Sequence, residues 1–421
     1  MQIADKPFDD ARDWFRRRRS GLFLHWGIYA VPAWHEQIQW RRPIPGEKYA
    51  TYADQFNPVE YDPDRWLDHA EEAGMQYVCF TTKHHDGFCM WDTDETDFKI
   101  TSTPYGRDVL EMLADACHRR DFPLCLYYSV VDWHHPNYPN QGRSHELDAP
   151  KNGDDPDLEK YLGFLRAQVR ELCTRYGELG GFWWDMNVTE HTNPSINEMI
   201  RKLQPGAVIN NRGFDEGDYG TPERDLELEQ NAPFKHLTEA CQSIGKQSWG
   251  YREDEDYYTL RQLRSSIDYY LSRGGNYLLN VGPTARGNFP SEAVHILRNL
   301  GQWYDAVREA LHDADPVSGL LDSDRYLTTR RDNTLYVHLH RPLICDAVDL
   351  APFHTLPREA ILLNTGEEVE CDTDWLPWDF MKVKGGNCAG HLRVKNIPAD
   401  ELCGQIPVFK LEFEDLDAAR E

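Results

Sequence analysis

Gly181-Phe182-Trp183-Trp184-Asp185-Met186-Asn187 is the stretch on which the fold turns. A pair of glycines, Gly180 and Gly181, leads into three aromatic residues, and the run ends on a carboxylate. Aromatic residues favour strands, and a Gly-Gly pair suits the turn that enters one. An acid at the last position of such a strand sits at the rim of a sheet. In a β/α barrel that rim carries the chemistry. Asp185 would serve equally well as a helix cap, so the surrounding sequence has to decide.

Outward from this run, apolar strand-like segments alternate with helical patterns. GLFLHWGIYA (21–30), QYVCFTTK (76–83), PLCLYYS (123–129), AVINN (207–211), a sixth run over 236–244 and NYLLNV (276–281) read as strands. Residues 63–74, 107–120, 157–176, 194–203, 258–273 and 290–310 read as helices. Strands alternating with helices imply a parallel sheet. About seven such units favour a (β/α) barrel, irregular if need be, over an open doubly wound sheet. No GxGxxG follows the first strand. Past Pro316 the texture changes to short alternating runs such as TLYVHLH (334–340), broken by Pro, Gly and Asp. The expected division is a catalytic barrel over 1–315 and a small antiparallel β-sandwich over 316–421.

Composition narrows the function. The 421 residues carry a formal net charge of -26, which repels a phosphate backbone, so the arginines at 16–19 do not signal nucleic acid. No run approaches the roughly 20 apolar residues of a membrane span, and the charged N-terminus lacks the apolar core of a signal peptide. Ten cysteines form no CxxC pair, which suits a reducing compartment. The glycosylation sequon Asn187-Val188-Thr189 lies so near Asp185 that a glycan would crowd the rim. The expected location is therefore cytoplasmic. The acid excess fits a salty cytoplasm or solubility alone. Oligomeric state is left open, a homo-oligomer included.

The strand ends carry polar residues in number. They are His25-Trp26-Gly27, then Lys83-His84-His85-Asp86, then Tyr128-Ser129 with Asp132-Trp133-His134-His135, then Asp185, then Asn211-Arg212. One histidine in such a place is usually a packed one; several at successive strand ends converge on one pocket. Adjacent residues of an extended strand face opposite ways and chelate one ion poorly, and no HExxH pair is present. Neither metal nor organic cofactor is expected. Imidazoles and indoles suit a sugar, whose hydroxyls need hydrogen bonds and whose C–H face needs an apolar cover. Cutting a glycosidic bond needs two carboxyl groups. Asp185 is the first. The second is Glu223, in GDYGTPE (217–223), or Glu239, in TEAC (238–241), and either acid taken alone reads as a solvated surface residue.

The stretches FLHWGIYAVPAW, AGMQYVCFTTKHHDGFCMWDT, LYYSVVDWHHPNY, GFWWDMN, GDYGTPE, SWGY and GGNYLLNVGPTARG together resemble the α-L-fucosidases of glycoside hydrolase family twenty-nine, over about residues 21–290. The C-terminal part is similar only as that family's β-sandwich. The resemblance implies an exo-acting retaining enzyme for fucosylated oligosaccharides or glycoconjugates, with Asp185 as nucleophile. It implies His25, His84 and His85 as fucose contacts, with Trp26, Trp40, Tyr128, Trp133 and Arg212 in or near the pocket. Glu223 is preferred as acid/base because Thr-Pro-Glu is intact. Glu239 is the alternative, with Thr238 where the family has Trp. Gln39-Trp40 stands where Glu-Trp is usual, and Glu36 is the nearby substitute for that carboxylate. The rival readings are a non-catalytic fucose-binding protein and an exo-glycosidase for a related sugar.

Overall fold

The computed structural model describes residues 8–223, 232–323, 325–373 and 391–420. Seven parallel strands form the first sheet: β1 (Ser20–Leu24), β2 (Tyr77–Lys83), β3 (Leu124–Ser129), β4 (Gly181–Asp185), β5 (Val208–Ile209), β6 (Glu239–Ser243) and β7 (Asn276–Val281). Their order is β5-β4-β3-β2-β1-β7-β6. Helices Pro63–Glu72, Val109–Arg119, Leu158–Arg175, Pro194–Leu203, Leu260–Leu271 and Ser291–His312 pack outside. The helix starts follow local chemistry. Asp62, Asp108, Asp157 and Thr259 each accept a backbone N–H of the first turn.

No helix separates β5 from β6 among the described residues, and the two strands do not pair. Residues 219–223 lie between them instead. Tyr219 bridges Asn210 on one side; Gly220 bridges Thr238 and Glu223 bridges Cys241 on the other. This irregular segment completes the ring and carries Glu223 to the level of Cys241.

Strands buried on both faces sort their side chains into two cores. Phe23, Tyr77, Cys79, Cys125, Tyr127, Trp183, Tyr219, Cys241 and Leu278 pack together inside the ring. Leu22, Leu24, Val78, Phe80, Leu126, Tyr128, Phe182 and Trp184 pack outward under the helices. The period of two along each strand therefore decides which residue of an aromatic pair reaches the interior. Gly181 is a site of close approach: a Cβ there would lie 2.7 Å from the Val208 carbonyl oxygen, so the strand entry needs a glycine.

Beyond the last helix the chain becomes antiparallel. β8 (Asp315–Val317), β9 (Leu327–Arg331), β10 (Thr334–His338), β12 (Glu359–Leu362), β13 (Glu367–Glu368) and β16 (Val408–Glu412) form one sheet. β11 (Val348–Leu350), β14 (Glu370–Asp372) and β15 (Leu392–Lys395) form another. The two share a core including Leu335, Val337, Leu350, Leu392, Val394, Phe409 and Leu411. The fold is thus a (β/α) barrel followed by a β-sandwich, as the alternation of runs implied. His338 of the sandwich is hydrogen-bonded at 2.8 Å to the buried Asp268 of helix Leu260–Leu271, which ties the two parts together.

Candidate active site

A cavity of about 450 Å³ opens at the C-terminal ends of the parallel strands. Its wall includes His25 after β1, His84 and His85 after β2, Tyr127 of β3, Trp183 and Asp185 of β4, then Arg212, Glu223 and Cys241. None of its lining residues comes from the sandwich.

Asp185 is the last residue of β4, in register with Ser129 of β3, and its side chain is only 13% exposed. The Tyr127 hydroxyl donates to its Oδ2 at 2.7 Å. Arg212 Nη1 lies 3.3 Å from its Oδ1 and donates to Glu223 Oε1 as well. The same guanidinium donates to Thr221 through Nε (2.5 Å to Oγ1) and Nη2 (2.6 Å to the carbonyl), so it clamps the Thr-Pro-Glu segment against β4. Burial opposes the Arg212 charge, but Asp185 and Glu223 more than compensate and hold it firmly protonated. Its guanidinium also lies 4.7 Å above the Trp183 ring.

The imidazoles have assignable roles. Ser129 Oγ donates to the Val131 carbonyl at 2.8 Å, so it accepts from His85 Nδ1–H at 2.7 Å. His85 Nε2 is then an acceptor, 4.0 Å from Asp185 Oδ2. Two acceptors at that spacing call for a donor between them, such as a sugar hydroxyl. Asn280 donates its amide to the Trp249 carbonyl at 2.7 Å and so accepts from His25 Nδ1–H at 2.7 Å. His84 and His85 are both held well below the usual imidazole range, first by burial and then by neighbouring histidines. They are neutral at working pH. His84 Nδ1 is buried with no hydrogen-bond partner among the described residues.

Glu36 lines the same wall. Burial disfavours its charge, but His35, His25 and the bonds from Ser248 and Gly250 bring its carboxyl below the usual range. Its Oε2 accepts from Ser248 Oγ (2.8 Å) and from the Trp249 and Gly250 amides. Its Oε1 is buried with no partner among the described residues, so Glu36 offers a charged acceptor to a ligand. Gln39 is buried but does not line the cavity.

Two loops of the site are locked together underneath. Lys83 and Asp132 form a buried pair at 2.8 Å, and Asp132 Oδ1 accepts the amides of His134 and His135. Gly87, at φ +79°, passes so close that a Cβ would lie 2.5 Å from that oxygen. Asp86 accepts from the Tyr49 hydroxyl, and burial raises its carboxyl to about 6. His134 stacks on Phe98 and His135 packs on Phe164, so this second histidine pair serves the scaffold.

Several expectations require correction. Tyr128 points away from the cavity, donating to Gln168 of an outer helix at 2.6 Å; its neighbour Tyr127 faces inward, because adjacent strand residues alternate. Trp26 is fully buried against Phe56, Tyr61 and Trp66, with its indole donating to the Thr284 carbonyl. Trp133 is also buried, and its indole donates to the His145 carbonyl at 2.7 Å. Its part is to hold the loop that brings His145 to the cavity. Trp40 does not line the cavity wall but stacks on His145 at 5.2 Å. Glu239 belongs to the opposite end of the barrel. It begins β6, level with Asn276 at the start of β7, and is buried beneath Trp183. His145, Trp249, Tyr127 and Trp183 line the site in addition to the residues expected from the sequence. The last two were readable as neighbours of Tyr128 and Asp185; His145, in an irregular loop, leaves no periodic signal.

Oxygens that share one hydrogen-bonding nitrogen lie no more than about 6 Å apart, given bonds of about 3 Å each. That suits the short carboxyl separation of a retaining glycosidase better than the wider gap an inverting enzyme needs for water. A glycoside hydrolase is the class that this barrel and this acid pair define. The chain belongs to the α-L-fucosidase family, whose model (Alpha-L-fucosidase) matches residues 3–309. It is 30% identical to the tissue α-L-fucosidase of Rattus norvegicus over 382 residues, 80% of this chain and 79% of that one. The structure is similar to α-L-fucosidase isoenzyme 1 from Paenibacillus thiaminolyticus, with TM-score 0.84, 33% identity and 97% and 99% of the two chains covered. It is also similar to a trapped covalent intermediate of an α-L-fucosidase from Bacteroides thetaiotaomicron, in complex with 2-fluoro-fucosyl fluoride, with TM-score 0.76, 27% identity and 94% of each chain covered.

Proposed function

We propose that this chain removes terminal α-L-fucose from fucosylated oligosaccharides or glycoconjugates with retention of configuration, using Asp185 as nucleophile and Glu223 as acid/base. The observation that carries this reading is the shared contact of Arg212 Nη1 with both carboxylates. Asp185 attacks the anomeric carbon while Glu223 protonates the departing oxygen; Glu223 then takes a proton from the incoming water. Tyr127 and Arg212 hold the nucleophile in line. His25 and the neutral His84 and His85, with Glu36, bind ring hydroxyls, and Phe23, Trp183 and Trp249 give the apolar wall that a 6-deoxy sugar favours.

Two observations support work in a reducing compartment, the cytoplasm. The nine cysteines among the described residues are all unpaired thiols. The Asn187 amide donates to the carbonyls of His191 (2.9 Å) and Gly213 (3.0 Å), so a glycan on that nitrogen would break the loop after β4.

Incubation with a 2-deoxy-2-fluoro-fucosyl fluoride followed by peptide mass mapping tests the assignment. One fucosyl adduct on the peptide carrying Asp185 is expected. An adduct on another acid would remove Asp185 from the role.

A further inference from the structure

Glu239 lies in the barrel interior, 1% exposed, where the proposed reaction has no use for a carboxylate. Three donors surround it: the Tyr77 hydroxyl at 2.6 Å, Trp183 Nε1 at 2.9 Å, and the Tyr219 hydroxyl. No side chain supplies it with a formal ion pair among the described residues. Burying a carboxylate costs stability even when donors surround it, a cost that a well-packed neutral residue avoids.

Its position suggests what the carboxylate does. Trp183 presents its N–H to Glu239 below and its ring to Arg212 above, at 4.7 Å. The ring is further packed by Phe23 (5.2 Å) and Tyr127 (5.7 Å, 18°). Accepting the indole proton fixes the ring's rotation and enriches the π-face that meets the guanidinium. Arg212 in turn touches Asp185 and Glu223. A column of contacts thus runs from Glu239 through Trp183 and Arg212 to the reacting carboxylates.

We propose that Glu239 is a positioning residue for the proposed fucosidase reaction, acting through the Trp183 indole to hold Arg212 over the two catalytic acids. This rests on the assignment of Asp185 and Glu223 and adds a buried carboxylate to the machinery. Its surroundings explain why the ionised form is the working one. Tyr77 and Cys79 of β2, Cys125 of β3, Tyr219, and Cys241 of its own strand face it as neutral phenols and thiols, and Arg212 is the cation that favours its charge. Burial raises its carboxyl to about 7, against the three hydrogen bonds and Arg212. A proton on Glu239 would set one donor against another and loosen the indole.

The test is a double-mutant cycle with leaving groups as a second axis. Glu239→Gln should lower kcat/KM on aryl fucosides by roughly 10- to 100-fold, the cost of a small misplacement of reacting groups. Because Arg212 holds the nucleophile as well as the acid/base, the loss should be present with good and poor leaving groups alike, and azide should not restore turnover. Trp183→Phe should give a similar loss, and the double variant little more than either. Additive losses, or near wild-type activity in Glu239→Gln, would overturn the proposal. A loss confined to poor leaving groups, with azide restoring turnover as the α-azide, would make Glu239 the proton donor and overturn it too. Glu223→Ala, assayed in parallel, reads the acid/base assignment separately. Should Glu239→Gln not fold, Tyr77→Phe decides: losing a donor to the carboxylate should move the acid limb of kcat/KM upward by about one pH unit. An unmoved limb would count against the proposal.

Discussion

The Tyr127 hydroxyl donates to Asp185 Oδ2 at 2.7 Å, across adjacent strands. Burial, and then the carboxylate itself, raise the phenol well above its usual range, so it remains a donor throughout catalysis. The bond weakens when Asp185 becomes an ester and returns when the sugar leaves. Tyr127→Phe should therefore slow deglycosylation most. A charge-assisted bond of about 1.5–3 kcal/mol corresponds to roughly 10- to 100-fold. Pre-steady-state kinetics with a dinitrophenyl fucoside should show a burst that the wild type lacks or shows less strongly. A variant with unchanged turnover would mean that Tyr127 only packs.

His84 and His85 are assigned to substrate hydroxyls. Among the described residues, no three His, Cys, Asp or Glu side chains are grouped to hold a metal ion. Exhaustive dialysis against a chelator should leave kcat and KM unchanged. Loss of activity restored by one divalent ion would reverse the assignment.

His312 ends the long helix Ser291–His312, where the helix dipole favours a cation. Burial wins over that, joined by Arg19 and Arg308, and lowers the imidazole to about 3. The unfolded chain takes up the proton near pH 6.5 and the folded one only near 3, so stability is present above 6.5 and lost as pH falls between those values. His312→Gln removes this loss. Below pH 6 the wild type should lose ground to the variant by about 1.4 kcal/mol per pH unit, the equivalent of one proton. Urea unfolding at pH 5, 6 and 7 measures it; a constant difference would contradict the assigned shift.

The barrel was legible because its strands are buried on both faces and its helices begin on capping residues. β4 (Gly181–Asp185) and β7 (Asn276–Val281) were readable to the residue for that reason. The ring's closure was not, since residues 219–223 make isolated bridges with no strand-like pattern. The site was legible where a strand ends on a unique polar residue, as at Asp185. It was ambiguous where neighbours are alike: Tyr127 and Tyr128 differ in facing, which composition does not encode. Glu239 was a candidate because an acid near a strand looks the same at either end; register alone places it at the base. Trp26 and Trp133 illustrate a related limit, for an indole serves a core and a sugar equally well until its N–H finds a partner.

The pairing of Asp185 with Glu223 through a covalent intermediate is the central claim, and the anomer of an azide product tests it most directly. Glu223→Ala should slow an unactivated fucoside far more than a nitrophenyl one, on the scale of about 10²–10⁴-fold for lost acid–base assistance. Its glycosyl-enzyme, β-linked to Asp185, should then be resolved by azide to give α-fucosyl azide. Asp185→Gly should be nearly inactive alone, by about 10⁴-fold or more, and azide attacking the α-fucoside directly should give the β-azide. The α-azide is predicted from the first variant and the β-azide from the second. A β-azide from Glu223→Ala, or no rescue there while another acid's alanine variant yields the α-azide, would contradict the pairing.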